Sequence, residues 1–554
     1  MNKYVQKGIC IVLSSVISLG FAAGCTQNKN QASSSGPTNT PSTSKDTSSV
    51  YPLKTNYTLK FWSSLNTNLA GIVSNLGETP LGKELEKKTG IKVTYLHPSQ
   101  GQERDQFNIM VASGDIPDII EYNWAVEYPG GPEKAIKDGL ILPLNDAFEK
   151  YSPNLKKLLT EDKDLEKQIK TDNGNYYNYP MIRVSDTARV FRGPIIRKDW
   201  LDDLGLPLPE TIDDWYTTLK AFKEKKGADS PFVATYNQNS GSASFINNSG
   251  MALYDAFIGA YKTSDGFYVD DEGKVKYGPI EKQYKEFLTT FRKWHAEGLI
   301  DKEFALADAK AVDSKMLGDK AGATVGLLSG AIGRYLDNMK TKNPKFNLVG
   351  TTYPTLKKGE TPFSGQCDDK YNPKASTAIT KSCKNVEVAA RWLDYAYSEE
   401  GNLVYNFGIE GQSYNLEKGY PKFSDYIMKN PEGKTYAVMQ PQFMKLNGAF
   451  AVDPRASEQS YAYPQMKEAQ AQWTKTEAKK HNIPQSITPT PEESKELAAI
   501  TGKTNAYFAQ MYVKFVMGVE PLENFDKYVD EMKKLGIEKA IKIRQDCVDR
   551  YKNR

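Results

Sequence analysis

Aromatic and amide residues follow two predicted strands of this chain, at the points where the strands end. Trp62 closes the segment TLKFW, and Tyr122, Asn123 and Trp124 close the segment IPDIIEYNW. Aromatic rings pack on the apolar surfaces of a small molecule, while amides and hydroxyls bond its polar groups. In open α/β sheets, ligands bind beyond the carboxyl ends of the strands. The four residues therefore indicate a binding edge for a polar ligand.

A loop farther along the chain offers similar chemistry. Tyr236 and Asn237 follow FVATY, which has the composition of a strand end, and more amides come next. We expect this loop to bond hydroxyl groups. Asp229 is the only acid in KKGADSPFVATY. Calcium takes about six to eight oxygen ligands, several of them carboxylates, so we predict no calcium site here.

The motifs of common catalytic sites are absent from the sequence. It contains no Gly-x-Ser-x-Gly, His-Glu-x-x-His or Gly-x-Gly-x-x-Gly. Gly77–Lys83 has the spacing of a phosphate loop, but Glu84 stands where serine or threonine would hold magnesium. We assign no catalytic residue. The 68 acidic residues leave carboxylate pairs possible, so a secreted glycosidase or lyase stays an alternative.

Histidine and cysteine are too sparse for a metal centre. The three histidines are widely separated, and no Cys-x-x-Cys occurs. We therefore predict no metal and no cofactor. Cys367 and Cys383 are closer in sequence to each other than to Cys547, which makes them the favoured disulfide pair in an oxidising compartment.

The segment 188–225 predicts the start of a second structural layer. A strand around Ile195 leads into a short helix that ends at Gly205, and two prolines stiffen the connection. Thr211 can cap the next helix, with Asp214 completing a capping box. Strands and helices alternate in the same way before this segment. We therefore predict an α/β protein, and its 554 residues suggest at least two lobes.

The amino terminus has the features of an export signal. Lys3 and Lys7 precede an apolar run that ends in Ala-Ala-Gly-Cys, which resembles a lipobox with Cys25 as the acylated residue. Residues 1–24 are thus predicted to be a lipoprotein signal peptide. Residues 25–55 are rich in serine, threonine and proline, and are predicted to be a flexible tether. The mature chain would be anchored in the cell membrane on its extracellular face.

Several longer stretches carry a resemblance to a known family. They are residues 112–120 (ASGDIPDII), 139–159, 188–225, 291–304 (FRKWHAEGLIDKEF) and 372–419. In these stretches the chain resembles the extracellular solute-binding lipoproteins that serve ABC importers, and within them the alginate-oligosaccharide-binding and LipO-like branch. The resemblance extends from Leu59 to Tyr551.

The resemblance implies a two-lobe, periplasmic-binding-protein-like α/β fold with the ligand cleft at the hinge. It implies that residues 56–185 and 355–415 form the first lobe, and that residues 186–354 and 416–554 form the second. It also places Tyr179, Arg183, Gln412 and Tyr414 near the cleft. The predicted ligand-binding residues are therefore Trp62, Tyr122, Asn123, Trp124, Tyr179, Arg183, Tyr236, Asn237, Gln412 and Tyr414.

The implied function is capture of a carbohydrate, in particular an oligosaccharide, and its delivery to the permease subunits of an ABC transporter. The 33 tyrosines suit this function because tyrosine stacks on sugar rings, whereas a formal charge of +4 without basic runs gives no attraction to nucleic acid. We expect a monomer. A neutral sugar would need aromatics and amides, and an acidic one would need Arg183, Arg189 or a nearby lysine. A peptide or another polar solute stays an alternative ligand.

Overall fold

The structure is a computed structural model that describes residues 50–235 and 255–554. Tyr51–Arg554 form one compact unit. The signal segment, Cys25 and most of the tether lie outside the described residues, as do Tyr236 and Asn237. What the sequence analysis says of them stays a prediction. Within the described ranges, no helix combines the length and the apolarity needed to cross a membrane.

The strands are listed here in chain order. They are β1 (Thr58–Trp62), β2 (Lys92–Leu96), β3 (Ile119–Tyr122), β4 (Tyr179–Arg183), β5 (Arg192–Arg197), β6 (Phe267–Val269), β7 (Val275–Tyr277), β8 (Ala323–Leu327), β9 (Leu348–Gly350), β10 (Tyr371–Ile379), β11 (Tyr414–Glu417), β12 (Tyr420–Phe423) and β13 (Phe450–Val452).

The α-helices follow, again in chain order, with short 3-10 turns between some of them. They are α1 (Pro80–Thr89), α2 (Glu103–Ser113), α3 (Trp124–Glu127), α4 (Gly131–Lys137), α5 (Asn145–Tyr151), α6 (Pro153–Glu161), α7 (Lys163–Ile169), α8 (Lys198–Leu204), α9 (Ile212–Lys226), α10 (Asp255–Ile258), α11 (Lys282–Ala296), α12 (Ala309–Leu317), α13 (Arg334–Met339), α14 (Val386–Asp394), α15 (Glu399–Phe407), α16 (Asp425–Met428), α17 (Tyr436–Phe443), α18 (Pro454–Gln459), α19 (Pro464–Trp473), α20 (Ala478–His481), α21 (Pro491–Met517), α22 (Phe525–Lys534) and α23 (Ile537–Lys552).

Six strands form the larger sheet, in the order β13-β4-β10-β3-β1-β2. β1 runs parallel to β2 and β3, β13 runs parallel to β4, and β10 runs antiparallel to both of its neighbours, β3 and β4. All strands except β10 therefore end at the same edge of the sheet. The residues that follow β1, β3, β4 and β13 gather there, together with the beginning of β10.

A second, three-stranded sheet has β5 between β8 and β9, antiparallel to both. Each sheet has its own hydrophobic core. Ile119, Tyr179 and Trp392 belong to the core of the larger sheet, whereas Ile195 and Trp473 belong to the core of the smaller one. The chain thus has the two-lobe α/β architecture that its sequence predicts.

The segment 188–225 folds as its sequence predicts. Gly205 ends helix α8 with a φ of 65°, a left-handed conformation that glycine adopts without steric cost. The Thr211 hydroxyl accepts a hydrogen bond from the Asp214 amide at 3.1 Å, and the Asp214 carboxylate accepts one from the Thr211 amide at 3.0 Å. Trp215, Leu219 and Phe222 of α9 are buried in the second core. This capping box fixes where α9 begins.

The carboxyl-terminal part of the chain contributes to the first lobe beyond residue 415. Strand β13 pairs with β4 in the larger sheet, and Phe450 lies in its core. The hairpin β11–β12 and helix α17 form a small cluster of their own around Phe407 and Phe443. The family resemblance implies that residues 416–554 lie in the second lobe. We propose that the chain returns to the second lobe after Val452 instead.

The three described cysteines are unpaired. Cys383 lies in the first core, Cys547 lies in the second, and Cys367 packs against the second. The Cys367–Cys383 disulfide predicted from proximity in sequence is therefore wrong, because the two residues pack against different cores.

A buried carboxylate joins two helices of the first lobe. Asp394, at the end of α14, accepts hydrogen bonds from the Leu155 amide at 2.8 Å and the Asn154 side chain at 2.8 Å, so it caps the start of α6. Burial raises the pKa of Asp394 to about 6. An unfolded aspartate titrates near pH 3.9, so between about pH 4 and pH 6 the folded state binds more protons than the unfolded state.

This difference in pKa predicts a pH dependence of stability. The contribution of Asp394 to the free energy of unfolding should fall as the pH rises from about 4 to about 6, and it should be constant above about pH 7. The Asp394→Asn variant has no titrating group at this position and serves as the control. Urea unfolding of both proteins across this range should give a wild-type minus variant difference that decreases with pH. Parallel curves would contradict the prediction.

Candidate ligand-binding site

A pocket of about 380 Å³ opens at the edge of the larger sheet where most of its strands end. We call it the polar pocket. Its lining residues are Ser64, Glu103, Arg104, Glu121, Tyr122, Asn123, Glu127, Lys374, Ala375 and Asn447. Its volume lies within the range of roughly 300–1,000 Å³ typical of small-molecule sites.

Distant parts of the chain meet in this pocket. Ser64 follows β1, and Glu103 opens helix α2. Tyr122 is the last residue of β3 and lies opposite Ser376 of β10. Lys374 is two residues earlier on β10, so the antiparallel pairing carries it beyond the end of β3.

Tyr122 lines the pocket, and helix α2 holds its ring in place. The ring stacks on Phe107 of α2 with centroids 4.2 Å apart, and the residue is 9% exposed. Its buried hydroxyl lies near the Arg104 guanidinium but forms no hydrogen bond of ordinary geometry within the described chain. Burial raises the pKa of this hydroxyl well above its usual range, so it stays protonated and can donate.

Asn123 adds an acceptor beside it. The side-chain oxygen Oδ1 is buried and lacks a partner among the described residues. A buried polar group without a partner costs about 1–3 kcal/mol, and native proteins rarely keep one without a reason. The Tyr122 hydroxyl and the Asn123 amide are thus groups that a bound ligand can satisfy.

Two ion pairs engage most of the charged residues at the pocket. Arg104 donates through Nε to Glu127 Oε2 at 2.6 Å. Lys445 bonds Glu121 Oε2 at 3.1 Å, and both side chains are largely buried. Gly448 lies against this pair with a φ of +96°, and a Cβ atom there would overlap with Glu121 Oε2. Glycine at 448 therefore allows the loop before β13 to approach Glu121.

A smaller cavity of about 150 Å³ adjoins the polar pocket and shares Ser64, Glu121 and Asn447 with it. Most of its other lining is apolar, including Phe61 and Trp392. Its lining is more apolar than that of the polar pocket, and it therefore suits a polar ligand less well.

Of the predicted site residues, Tyr122 and Asn123 line the polar pocket. Trp62 and Trp124 are next to them in the chain but lie in the first core. Trp62 contacts Phe107 and Tyr122 edge-on or tilted, and Trp124, 0% exposed, packs against Phe107 and Tyr128. Helix α2 covers these rings, so the structure gives them a supporting position rather than the stacking surface predicted for them.

Tyr179 and Arg183 occupy the two ends of β4. Tyr179 is fully buried, and its hydroxyl lies 2.7 Å from that of Ser152. Arg183 forms an ion pair with Asp368 at 3.1 Å, which joins the chain where it leaves the first lobe to the segment that returns to it. Neither residue lines the polar pocket. Tyr179 thus lies in the first core and Arg183 at the crossing between the lobes, and a binding role for either stays a prediction.

Gln412 and Tyr414 lie near the hairpin β11–β12. Gln412 is exposed, while Tyr414 packs on Phe407 in the small third cluster. They do not line the polar pocket either. The family resemblance places this segment near the cleft, and that placement stays a prediction.

Eight lining residues were missed from the sequence: Ser64, Glu103, Arg104, Glu121, Glu127, Lys374, Ala375 and Asn447. Glu103 and Arg104 open helix α2, and the first turn of a helix that follows a parallel strand lies at the carboxyl edge of the sheet. That signal could have identified them. Lys374 and Asn447 belong to segments that are distant in sequence. The pairing of β10 brings Lys374 to the pocket, and the loop before β13 brings Asn447.

No metal site accompanies the pocket in the part of the chain that the structure describes, since no three or more His, Cys, Asp or Glu residues cluster in a way that could hold an ion. The lining side chains are mainly hydroxyl, amide and charged groups, and most of the charged groups are in ion pairs. This set can bind and orient a polar molecule through hydrogen bonds.

Comparison with known proteins identifies the family. Residues 76–403 match the family described as bacterial extracellular solute-binding protein, and this is more than half of the chain. The chain therefore belongs to the family of bacterial extracellular solute-binding proteins.

Individual relatives agree with this assignment. Lipoprotein LipO of Bacillus subtilis is 32% identical over 351 residues, which cover 62% of this chain and 65% of LipO, slightly less than two thirds of its length. The fructooligosaccharide ABC transporter substrate-binding protein FusA of Streptococcus pneumoniae is 25% identical over 91% of this chain and 92% of FusA. The crystal structure of the alginate-binding protein AlgQ2 superimposes with a TM-score of 0.67 at 24% identity, covering 89% of this chain and 98% of AlgQ2. At this level of identity, the similarity to AlgQ2 shows a shared fold and no more.

The ion pair at the pocket yields a stability prediction. The Lys445→Met variant leaves Glu121 largely buried without a cation. We therefore expect its free energy of unfolding to be about 2–4 kcal/mol lower than that of the wild type. The double variant Glu121→Gln, Lys445→Met removes both charges and should recover most of that loss. Urea unfolding measures both. Equal losses in the single and double variants would contradict the pairing.

Proposed function

We propose that this chain captures an oligosaccharide outside the cell and delivers it to the permease of an ABC importer. The observation that carries the proposal is the polar pocket, in which a buried hydroxyl and a buried amide stand without partners at the ligand-binding edge of a solute-binding fold. Sugar hydroxyls both donate and accept hydrogen bonds, so they satisfy both groups.

The relatives support a carbohydrate ligand. FusA, which aligns over nearly the whole chain, is by its name a fructooligosaccharide-binding protein of an ABC transporter. AlgQ2, which shares the fold, is named as an alginate-binding protein.

The binding step uses both lobes. Tyr122 and Asn123 hold the ligand from the first lobe, and Tyr236 and Asn237 are the predicted contacts from the second. A ligand that contacts both lobes stabilises the closed arrangement by its additional contacts, and the closed form is the one that docks on the permease.

We propose a binding function without catalysis. Glycoside hydrolysis needs one carboxyl group that stays protonated near neutral pH and a second that is ionised across the substrate. Asp369 and Asp394 have pKa values raised to about 6 by burial, but neither lines the polar pocket. In the pocket, Glu121 and Glu127 are held in ion pairs. A glycosidase or lyase is therefore the less favoured function.

We further propose that the mature protein is a monomer held to the cell membrane by acylated Cys25, with residues 25–50 as its tether, since the compact unit begins at Tyr51. Two or more acyl chains give stable anchoring, which fits a lipoprotein that must stay near its permease. A tether of this length lets the binding unit reach the transporter.

The proposal is tested by ligand binding to the unit Tyr51–Arg554. A thermal-shift screen of neutral and acidic oligosaccharides should find ligands that raise the melting temperature, because ligands that bind the native state stabilise it. Mass spectrometry should recover each ligand intact. Shortened sugars would establish the enzyme alternative. An increase in melting temperature with peptides alone would show that the ligand is a peptide and not a carbohydrate.

Variants then test the pocket with any stabilising sugar. Asn123→Ala should weaken binding about 10-fold, as expected for loss of one buried hydrogen bond. Gln283→Ala is the matched amide control, since Gln283 is exposed on α11 and lies outside the pocket, and it should bind like wild type. Equal affinities for all three proteins, measured by titration calorimetry, would place the site elsewhere.

A further inference from the structure

The charges around the polar pocket balance one another. Three carboxylates line it, those of Glu103, Glu121 and Glu127. Arg104 and Lys374 line it as well, and Lys445 reaches Glu121 from the adjoining cavity. Three negative groups thus face three positive ones.

Two of the three cations are already engaged. Arg104 bonds Glu127 through Nε and Nη2, each at 2.6 Å. Lys445 bonds Glu121 at 3.1 Å, and Gly448 packs closely against Glu121 Oε2. A carboxylate on the ligand would have to break one of these pairs to gain a cation.

The arginines that an acidic ligand could have used are engaged at the crossing between the lobes. Arg183 pairs with Asp368 at 3.1 Å. Arg189 is buried, donating to the Asp368 carbonyl at 2.6 Å and to Asp186 at 2.7 Å. Neither lines the polar pocket.

One cation and one carboxylate stay available in the pocket. Lys374 forms no ion pair within the described chain, and neither does Glu103, whose carboxylate accepts a hydrogen bond from the Gly101 amide. The attraction of Lys374 for an anionic ligand is therefore opposed by Glu103. The other polar groups that can recognise a ligand are the uncharged side chains of Ser64, Tyr122, Asn123 and Asn447. Of these, the Tyr122 hydroxyl and Asn123 Oδ1 are the buried ones that lack an ordinary hydrogen bond.

We infer that the polar pocket selects neutral saccharides and discriminates against saccharides that carry carboxylates, such as uronates. This inference rests on the proposed function and specifies its ligand class. Glu103 is the specificity-determining residue, because it opposes a second anion without contributing to an ion pair of its own.

The test compares matched sugars that differ in oxidation at one carbon. Titration calorimetry on Tyr51–Arg554 should use galacto-, manno- and gluco-oligosaccharides beside the oligouronates of the same sugars and lengths, at 50 and 500 mM sodium chloride. We expect neutral members to bind at least 10-fold tighter than their uronate partners. We also expect their affinity to change less than about 2-fold with salt, since no net charge interaction is screened.

A charge variant isolates the role of Glu103. Glu103→Gln should raise uronate affinity relative to the matched neutral sugar by about 5-fold or more. Glu161→Gln makes the same change at an exposed position outside the pocket and should leave that ratio unchanged. An unchanged ratio in Glu103→Gln would remove Glu103 from the explanation.

The outcomes separate the inference from the function on which it rests. Uronates that bind tighter than neutral sugars, with affinity that falls as salt increases, would overturn the inference and leave the oligosaccharide function in place. Failure of every sugar of both kinds to bind would overturn the proposed function, and the inference with it.

Discussion

A central strand of the first lobe, β10, is formed by a segment that follows the strands of the second lobe in the sequence. Strand β10 follows β5, β8 and β9 in the sequence, yet it inserts between β3 and β4 and hydrogen-bonds to both. Without it the larger sheet would separate into two parts, because β4 and β13 connect to β3 only through β10. The first lobe therefore completes its sheet only when the chain has returned from the second. The ion pair between Arg183 and Asp368 ties the outgoing segment to the returning one at this point.

The same insertion builds the polar pocket. It sets Lys374 beyond the end of β3, where Tyr122 and Asn123 emerge. Beneath them, Phe107, Trp62 and Trp124 pack against one another and hold the Tyr122 ring. The aromatic side chains near the site thus act mainly as a rigid support beneath it, and recognition is left to the uncharged polar groups of the lining. Most of the nearby charges pair among themselves. The pocket therefore combines a rigid support with hydrogen-bonding groups that water or a ligand must satisfy.

Local patterns predicted what local chemistry determines. The capping box at Thr211, the end of α8 at Gly205 and the buried face of α9 all follow from short-range spacing, and the structure has them where the sequence put them. The location of the site at the strand ends was also predictable, because parallel strands end at the same edge of a sheet. The orientation of the side chains there was not, since it depends on α2 folding over Trp62 and Trp124. Lys374 and Asn447 depend on strands paired across more than 250 residues of chain, which no local pattern encodes. Their roles became visible only with the register of β10.

A crystal structure of Tyr51–Arg554 bound to an oligosaccharide that stabilises it would test the central claim most directly. The account predicts sugar hydroxyls within hydrogen-bonding distance of the Tyr122 hydroxyl and Asn123 Oδ1, with the Glu121–Lys445 and Arg104–Glu127 pairs intact. It also predicts that Trp62, Trp124 and Tyr414 stay covered by protein. A sugar bound elsewhere, or stacked on any of these three rings with the polar pocket empty, would contradict it.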